Sequence, residues 1–326
     1  MILRQRPRRN RKSHSIRDLV QESRLSTDDL IMPLFIKEKK GSENIQSMPG
    51  QKRLDRDDLF RECESLLNLG VKGVSLFPAI EENLKNSKAT ESHNPTGLYP
   101  ETIRALKERF PDLVLMTDVA MDPYSSDGHD GLVDDSGNIL NDETLAILNQ
   151  MAIVQAQAGS DIIGPSDMMD GRVGTIREAL DKEGYQNTLI MSYSAKYASA
   201  FYGPFRDALE SAPKQGDKKT YQMNPANSKE ALREAHLDDL EGADILMIKP
   251  GLPYLDIIKL FKDSLTKPVA AYNVSGEYAM IKAAHEKGWI DGPLVMMESL
   301  LCFKRAGADL ILTYFAKEAA QLMRSL

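Results

Sequence analysis

Apolar and polar positions fall in blocks along this chain rather than alternating one by one. Eight short apolar runs stand out: LIMPLFI (30–36), VKGVSLFP (71–78), LVLMTDV (113–119), SDIIGPSD (160–167), TLIMSYSA (188–195), DILMIKP (244–250), PVAAYNVS (268–275) and DLILTYF (309–315). They are rich in Val, Ile, Leu and Met and show little polar alternation. Strands buried on both faces read this way, as in a parallel sheet. The segments between them carry helical spacing. Leu59, Cys63, Leu66 and Leu67 fall on one face of 55–70, and 142–159 and 228–244 behave alike. Several of these segments end on glycine, in NLGVKG, QAGSDI, EGADIL and RAGADL. Glycine takes the left-handed conformation that closes a helix, after which the chain re-enters the sheet.

Eight strands, most of them followed by a helix, predict an α/β fold, a (β/α)8 TIM barrel with an extended N-terminal arm. The arm is expected over 1–28 and the barrel, as one catalytic domain, over 29–326. An open doubly wound sheet is the competing architecture. The segment after the first run, KEKKGSENIQSMPGQ, lacks the G-x-G-x-x-G that such a sheet uses for a dinucleotide.

Composition narrows the function classes. The apolar fraction is 42% and the charged fraction 27%, ordinary values for a soluble globular protein. A formal net charge of −7 argues against nucleic acid or an anionic membrane as the partner of the body. No apolar run is long enough to span a bilayer. The start, MILRQRPRRNRKSHSIR, is basic and lacks the apolar centre of a secretory signal. No aromatic residue interleaves its charges before Phe35, so it reads as a solvated or subunit-wrapping tail rather than a stacking platform for bases. Cys63 and Cys302 lie far apart in helix-like segments and read as thiols in a reducing cytoplasm.

In a barrel the chemistry sits at the C-terminal ends of the strands. Two runs finish on lysine: TLIMSYSAK at Lys196 and DILMIKPG at Lys249. Burial disfavours the ammonium form, and a second cation nearby lowers the pKa further. A neutral amine so produced attacks a ketone and forms a Schiff base. The segment 197–228 is long and mixed in polarity, as a lid would be. It carries Arg206, Lys218 and Lys219 for a carboxylate, and Tyr202, Phe205 and Tyr221 to cover a small substrate. Ser275 and Tyr314, at the last two strand ends, offer hydroxyls. Together these residues suit a small keto acid.

The segments SAKYASAFYGPFRDA, MIKPGLPYLDI, YNVSGEYAM and RAGADLILTYFA resemble the porphobilinogen synthases, also called 5-aminolevulinate dehydratases, and the resemblance runs from MPLFI to the last strand. That family condenses two 5-aminolevulinate molecules into porphobilinogen with loss of two waters, in tetrapyrrole synthesis. The resemblance implies that Lys249 forms the Schiff base with the first substrate, which becomes the propionate side of the product, and that Lys196 holds the second. It assigns Arg206, Lys218 and Gln222 to the second substrate's acid end, Lys218 standing where many relatives have arginine. It assigns Ser275 and Tyr314 to the first substrate's carboxylate, with Tyr202, Phe205 and Tyr272 as further substrate-binding residues, and makes Asp118 a proton-transfer partner. It further implies a cytoplasmic homo-oligomer, usually an octamer, whose arms embrace neighbouring subunits.

The stretch DVAMDPYSSDGHDG (118–131) gathers four aspartates and a histidine. Zinc-dependent relatives carry three cysteines here, at positions matching Ala120, Asp122 and Asp130. Carboxylates are hard ligands and suit magnesium or no ion, so no active-site zinc is expected. Asp122, Asp127, His129 and Asp130 remain a loose candidate ion site. The resemblance also implies an allosteric Mg²⁺ held at Glu234 near a subunit contact, with Asp167 approaching it from a neighbouring subunit. Two other readings compete: a Schiff-base aldolase, which needs one lysine instead of two, and a barrel whose basic arm binds RNA, in which Lys249 has no role.

Overall fold

All eight apolar runs become strands of one closed sheet. They are β1 (Leu30–Ile36), β2 (Gly73–Pro78), β3 (Val114–Val119), β4 (Ile162–Pro165), β5 (Leu189–Lys196), β6 (Ile245–Lys249), β7 (Val269–Asn273) and β8 (Leu310–Thr313). Each pairs in parallel with the next, and β8 returns to β1 through Leu30↔Ile311 and Ile31↔Leu312, which closes the barrel. The structure is a computed structural model and describes residues 3–325. Met1 and Ile2 of the expected arm, and Leu326 of the expected barrel span, lie outside the described residues.

The physical cause of the closed sheet is visible strand by strand. Every residue of β1, β2, β4, β6 and β7 is buried, because one face fills the barrel interior and the other meets the helices. The helices follow their apolar stripes. Arg56–Asn68 is capped by the Asp55 carboxylate, which accepts from the Asp58 amide at 2.9 Å, and it buries Leu59, Cys63 and Leu66. The predicted glycine stops hold: Gly70, Gly159, Gly242 and Gly307 all have positive φ.

The arm is separate from the barrel core. It contains a 3-10 turn (Pro7–Arg11) and a short helix (His14–Leu19), neither with a buried residue. At its junction Asp28 pairs with Lys72 at 2.8 Å and Asp29 with Lys304 at 2.9 Å. Two small additions were not legible in the sequence. Lys52–Leu54 extends the sheet beside the end of β1, and Leu132–Val133 pairs with Ile139–Leu140 just beyond the aspartate stretch.

Candidate active site

Lys196 and Lys249 are the last residues of β5 and β6, and they are register partners. Adjacent parallel strands therefore deliver both amines to the same end of the barrel. The Lys249 Nζ is ringed by aromatic side chains, 4.7 Å from the centre of Tyr272, 4.9 Å from Phe205, 5.1 Å from Tyr193 and 5.4 Å from Tyr202. Burial among these rings pushes its pKa down to about 7, with the Lys196 charge adding to the effect and Asp118 opposing it. A neutral amine is thus accessible near physiological pH. The Lys196 Nζ donates to the Ser166 carbonyl and stands 3.8 Å from Asp130.

Asp118, at the end of β3, is fixed through its backbone. Its N–H donates to the Tyr99 hydroxyl at 2.9 Å, and its carbonyl accepts from Gln155 at the same distance. Its Oδ1 is buried without a partner among the described residues. Burial raises its pKa to about 7, against the pull of both lysines. Such a carboxyl can give or take a proton near neutrality.

The aspartate stretch is occupied by a cation from the chain itself. The Lys218 ammonium lies 3.2 Å from Asp122 and 3.1 Å from Asp130. Burial acts to lower the Lys218 pKa, but the two carboxylates outweigh it and raise it. Burial likewise pushes Asp130 up, yet Lys196 and Lys218 hold it down at about 2. Asp122 is raised, chiefly by burial, so it is the easier of the pair to protonate. Among the described residues no group of three or more His, Cys, Asp or Glu side chains is arranged to hold a metal ion. In this arrangement the Lys218 ammonium takes the place between Asp122 and Asp130.

The segment after Lys196 closes over these groups. Its helix Gly203–Leu209 brings Phe205 and Arg206 to the cavity wall, and the return leg brings Lys218 and Gln222. It is fastened to the aspartate stretch. His129 Nε2 lies 2.9 Å from the Gln215 carbonyl and Nδ1 lies 3.1 Å from the Tyr221 hydroxyl. Donation through Nε2 and acceptance at Nδ1 satisfies both contacts. The Lys214 amide donates to the Asp127 carbonyl at 3.1 Å. Gly128 is seated so closely that an added Cβ would come within 2.4 Å of the Ala212 carbonyl oxygen. Beneath this lid the cavity has about 30 Å³ free for water-sized guests, room for roughly two waters.

Comparison with known proteins now bears on this geometry. Residues 4–322 match the family model described as delta-aminolevulinic acid dehydratase. The chain is 58% identical over 322 residues to the chloroplastic delta-aminolevulinic acid dehydratase of Glycine max, covering 98% of this chain and 78% of that one. It is 55% identical to the delta-aminolevulinic acid dehydratase of Bradyrhizobium diazoefficiens, over 98% of this chain and 91% of the relative. Its backbone superposes with a TM-score of 0.98 on the delta-aminolevulinic acid dehydratase (porphobilinogen synthase) of Toxoplasma gondii ME49, solved with the product porphobilinogen. That match covers 99% of this chain and 92% of the other at 55% identity. The chain belongs to the delta-aminolevulinic acid dehydratase family.

Lys196, Lys249, Asp118, Tyr202, Phe205, Arg206, Lys218 and Gln222 all line one cavity. The Gln222 Oε1 is buried without a partner among the described residues, so its amide end is available to a ligand. Tyr272 stands behind, against Lys249, and its hydroxyl is 3.1 Å from that of Tyr314. Ser275 is buried and engaged with the lid: its Oγ accepts from the Phe205 amide at 3.0 Å. Neither Ser275 nor Tyr314 lines the cavity in this closed arrangement.

Glu234 and Asp167 fall outside the cavity. Glu234 is half-buried on the helix Lys229–Leu240, and burial raises its pKa against the pull of Arg172. Asp167 is buried in the single chain. It accepts from the Met169 amide at 2.7 Å and lies 3.9 Å from the buried Arg172. Sequence reasoning missed Tyr193 and Ser166. Simple alternation puts Tyr193 and Lys196 on opposite faces of β5. The pairing with β6 slips between Ser192 and Ala195, and this irregularity lets both face the site.

Proposed function

We infer that this chain condenses two molecules of 5-aminolevulinate into porphobilinogen, releasing two waters. The observation that carries the reading is the lysine pair on adjacent strand ends, one of them caged by rings and titrating near neutrality. The neutral Lys249 amine attacks the ketone of the first substrate, and loss of water gives an imine. Lys196 does the same with the second substrate, which accounts for the second water. An imine acidifies the adjacent carbon, and Asp118 is placed to move that proton. The resulting enamine carbon of the second substrate attacks the first substrate's imine carbon, and Lys249 departs by elimination. The first substrate's amine displaces Lys196 by imine exchange. Holding both substrates in one closed cavity supplies the proximity contribution. Arg206 and Gln222 serve the second substrate's acid end. Lys218 contributes there once substrate competes with Asp122 and Asp130, and Ser275 and Tyr314 serve the first substrate's carboxylate once the lid shifts. Incubation with 5-aminolevulinate and an assay for the pyrrole product tests the reading. No product under reducing, magnesium-replete conditions overturns it.

Magnesium belongs at Glu234 in this reading. Asp238, Asp170 and Glu230 all add negative potential to that carboxylate. A divalent ion would relieve the repulsion, and with few protein ligands it would keep most of its waters. It would act on a homo-oligomer, octameric in this proposal, in which the arm wraps a neighbour. Leu19 and Val20 of the arm are 82% and 48% exposed in the single chain and need such a cover. Magnesium is expected to raise both activity and sedimentation size of the wild type, by mass action on the assembled form. Glu234→Ala should lose that response, Asp122→Ala should keep it, and removal of residues 1–17 should reduce the assembly. A normal response in Glu234→Ala with a lost one in Asp122→Ala reverses the assignment of the working ion.

No nucleic-acid or membrane partner enters this function, and no helix among the described residues is long and apolar enough to cross a membrane. A reducing aqueous compartment such as the cytoplasm suits the two free thiols, and burial pushes Cys63 up to about 12. The Glycine max relative is named chloroplastic, so family membership does not by itself select the cytoplasm.

A further inference from the structure

The Lys249 amine has no hydrogen-bond or ion-pair partner among the described residues, and its surroundings are aromatic rings. Rings confine an amine but do not aim it along one direction. Its aim therefore depends on the main chain at the end of β6. Ahead of the turn, the Lys249 carbonyl accepts from the Tyr197 amide at 2.9 Å and the Tyr202 hydroxyl at 3.0 Å. Beyond it, one carboxylate holds the chain. Glu277 Oε1 accepts from the Gly251 and Leu252 amides, both at 3.2 Å. Its Oε2 accepts from Asn273 Nδ2, and Asn273 Oδ1 accepts from Thr313 Oγ1 at 2.8 Å. Glu277, Asn273 and Thr313 are all buried, so the chain of contacts ties β6, β7 and β8 together away from solvent. Gly251 is wedged in place, since an added Cβ would meet the Phe303 ring at 2.4 Å and the Tyr272 carbonyl oxygen at 3.0 Å.

We propose that Glu277 is a positioning residue for the reaction: its carboxylate fixes the Gly251–Leu252 turn and thereby aims the Lys249 amine from within its ring cage. A carboxylate is costly in this interior, and burial raises its pKa to about 8. An apolar side chain would fill the same space but leave two turn amides unpaired. The role rests on Lys249 being the imine-forming residue, and borohydride trapping on Lys249 of the wild type tests that point separately.

The experiment compares Glu277→Ala, Glu277→Gln and Glu277→Asp in full-length enzyme, reading kcat, KM and the pH dependence of kcat/KM. Loss of the tether misplaces the amine, and a displacement of this kind costs roughly ten- to a hundredfold in kcat. Glu277→Ala is expected to show that loss with KM changed by less than about threefold. A loosened cage hydrates the amine, so the acid limb of kcat/KM should move to higher pH. Glu277→Gln keeps an oxygen that accepts from both amides and should restore kcat and the limb close to wild type. Should Glu277→Ala not fold, Glu277→Asp carries the same expectation, because its shorter carboxylate withdraws from the turn. Wild-type kcat and an unmoved limb in Ala or Asp overturn the proposal. So does an equal loss in Gln and Ala with the limb unmoved. Wild-type enzyme that traps no substrate on Lys249 overturns the underlying reading instead.

Discussion

Lys249→Arg is expected to retain the fold and lose essentially all turnover. The ring cage accepts a guanidinium as readily as an ammonium, because both are attracted to aromatic faces. A guanidinium stays charged, however, and cannot supply the neutral nucleophile. Removing the covalent residue from a site of this kind costs roughly four orders of magnitude in kcat or more. Borohydride added with 5-aminolevulinate should fix substrate on the wild-type lysine, since an imine is reducible and a salt bridge is not. Peptide mapping is the check. Label found elsewhere but never on Lys249, or substantial turnover in Lys249→Arg, contradicts the assignment.

Asp118→Asn is expected to show two effects of different sign. The rate should fall by roughly a hundred- to ten-thousandfold, the range for a lost acid–base group. At the same time the acid limb of kcat/KM should move to lower pH. The sign follows from the charges. Ionised Asp118 stabilises the Lys249 ammonium and so raises its pKa toward about 7. Asparagine removes that negative charge, and burial and Lys196 then push the amine lower still. In the wild type the two groups both titrate near 7, so the profile belongs to the pair rather than to either residue. A pH–rate series on both proteins checks this. An acid limb that moves upward, or a rate within a few-fold of wild type, would show that Asp118 does neither job.

The sequence exposed the barrel because its strands are buried on both faces, which writes continuous apolar runs instead of alternation. It exposed the helix ends through glycines such as Gly159 and Gly307, whose left-handed backbone few other residues tolerate. The two lysines were legible for a related reason: a cation closing an apolar strand at the catalytic rim is out of place unless it has work. Other features depend on distance along the chain. Lys218 meets Asp122 and Asp130 across 96 and 88 residues, and no local pattern announces that pairing. The irregular pairing of β5 is equally silent, because it depends on how β6 lies beside it. Asp167 ends an apolar run, and nothing local announces that Arg172, five positions later, lies against it in the interior.

The lid's fastening has a consequence for traffic. A site with about 30 Å³ free beneath its lid must widen before it takes a keto acid. The bolts are hydrogen bonds through His129, Tyr221 and the Lys214 amide, each contributing on the order of 1 kcal/mol. Bolts that weak can be drawn on the microsecond-to-millisecond scale of loop motion.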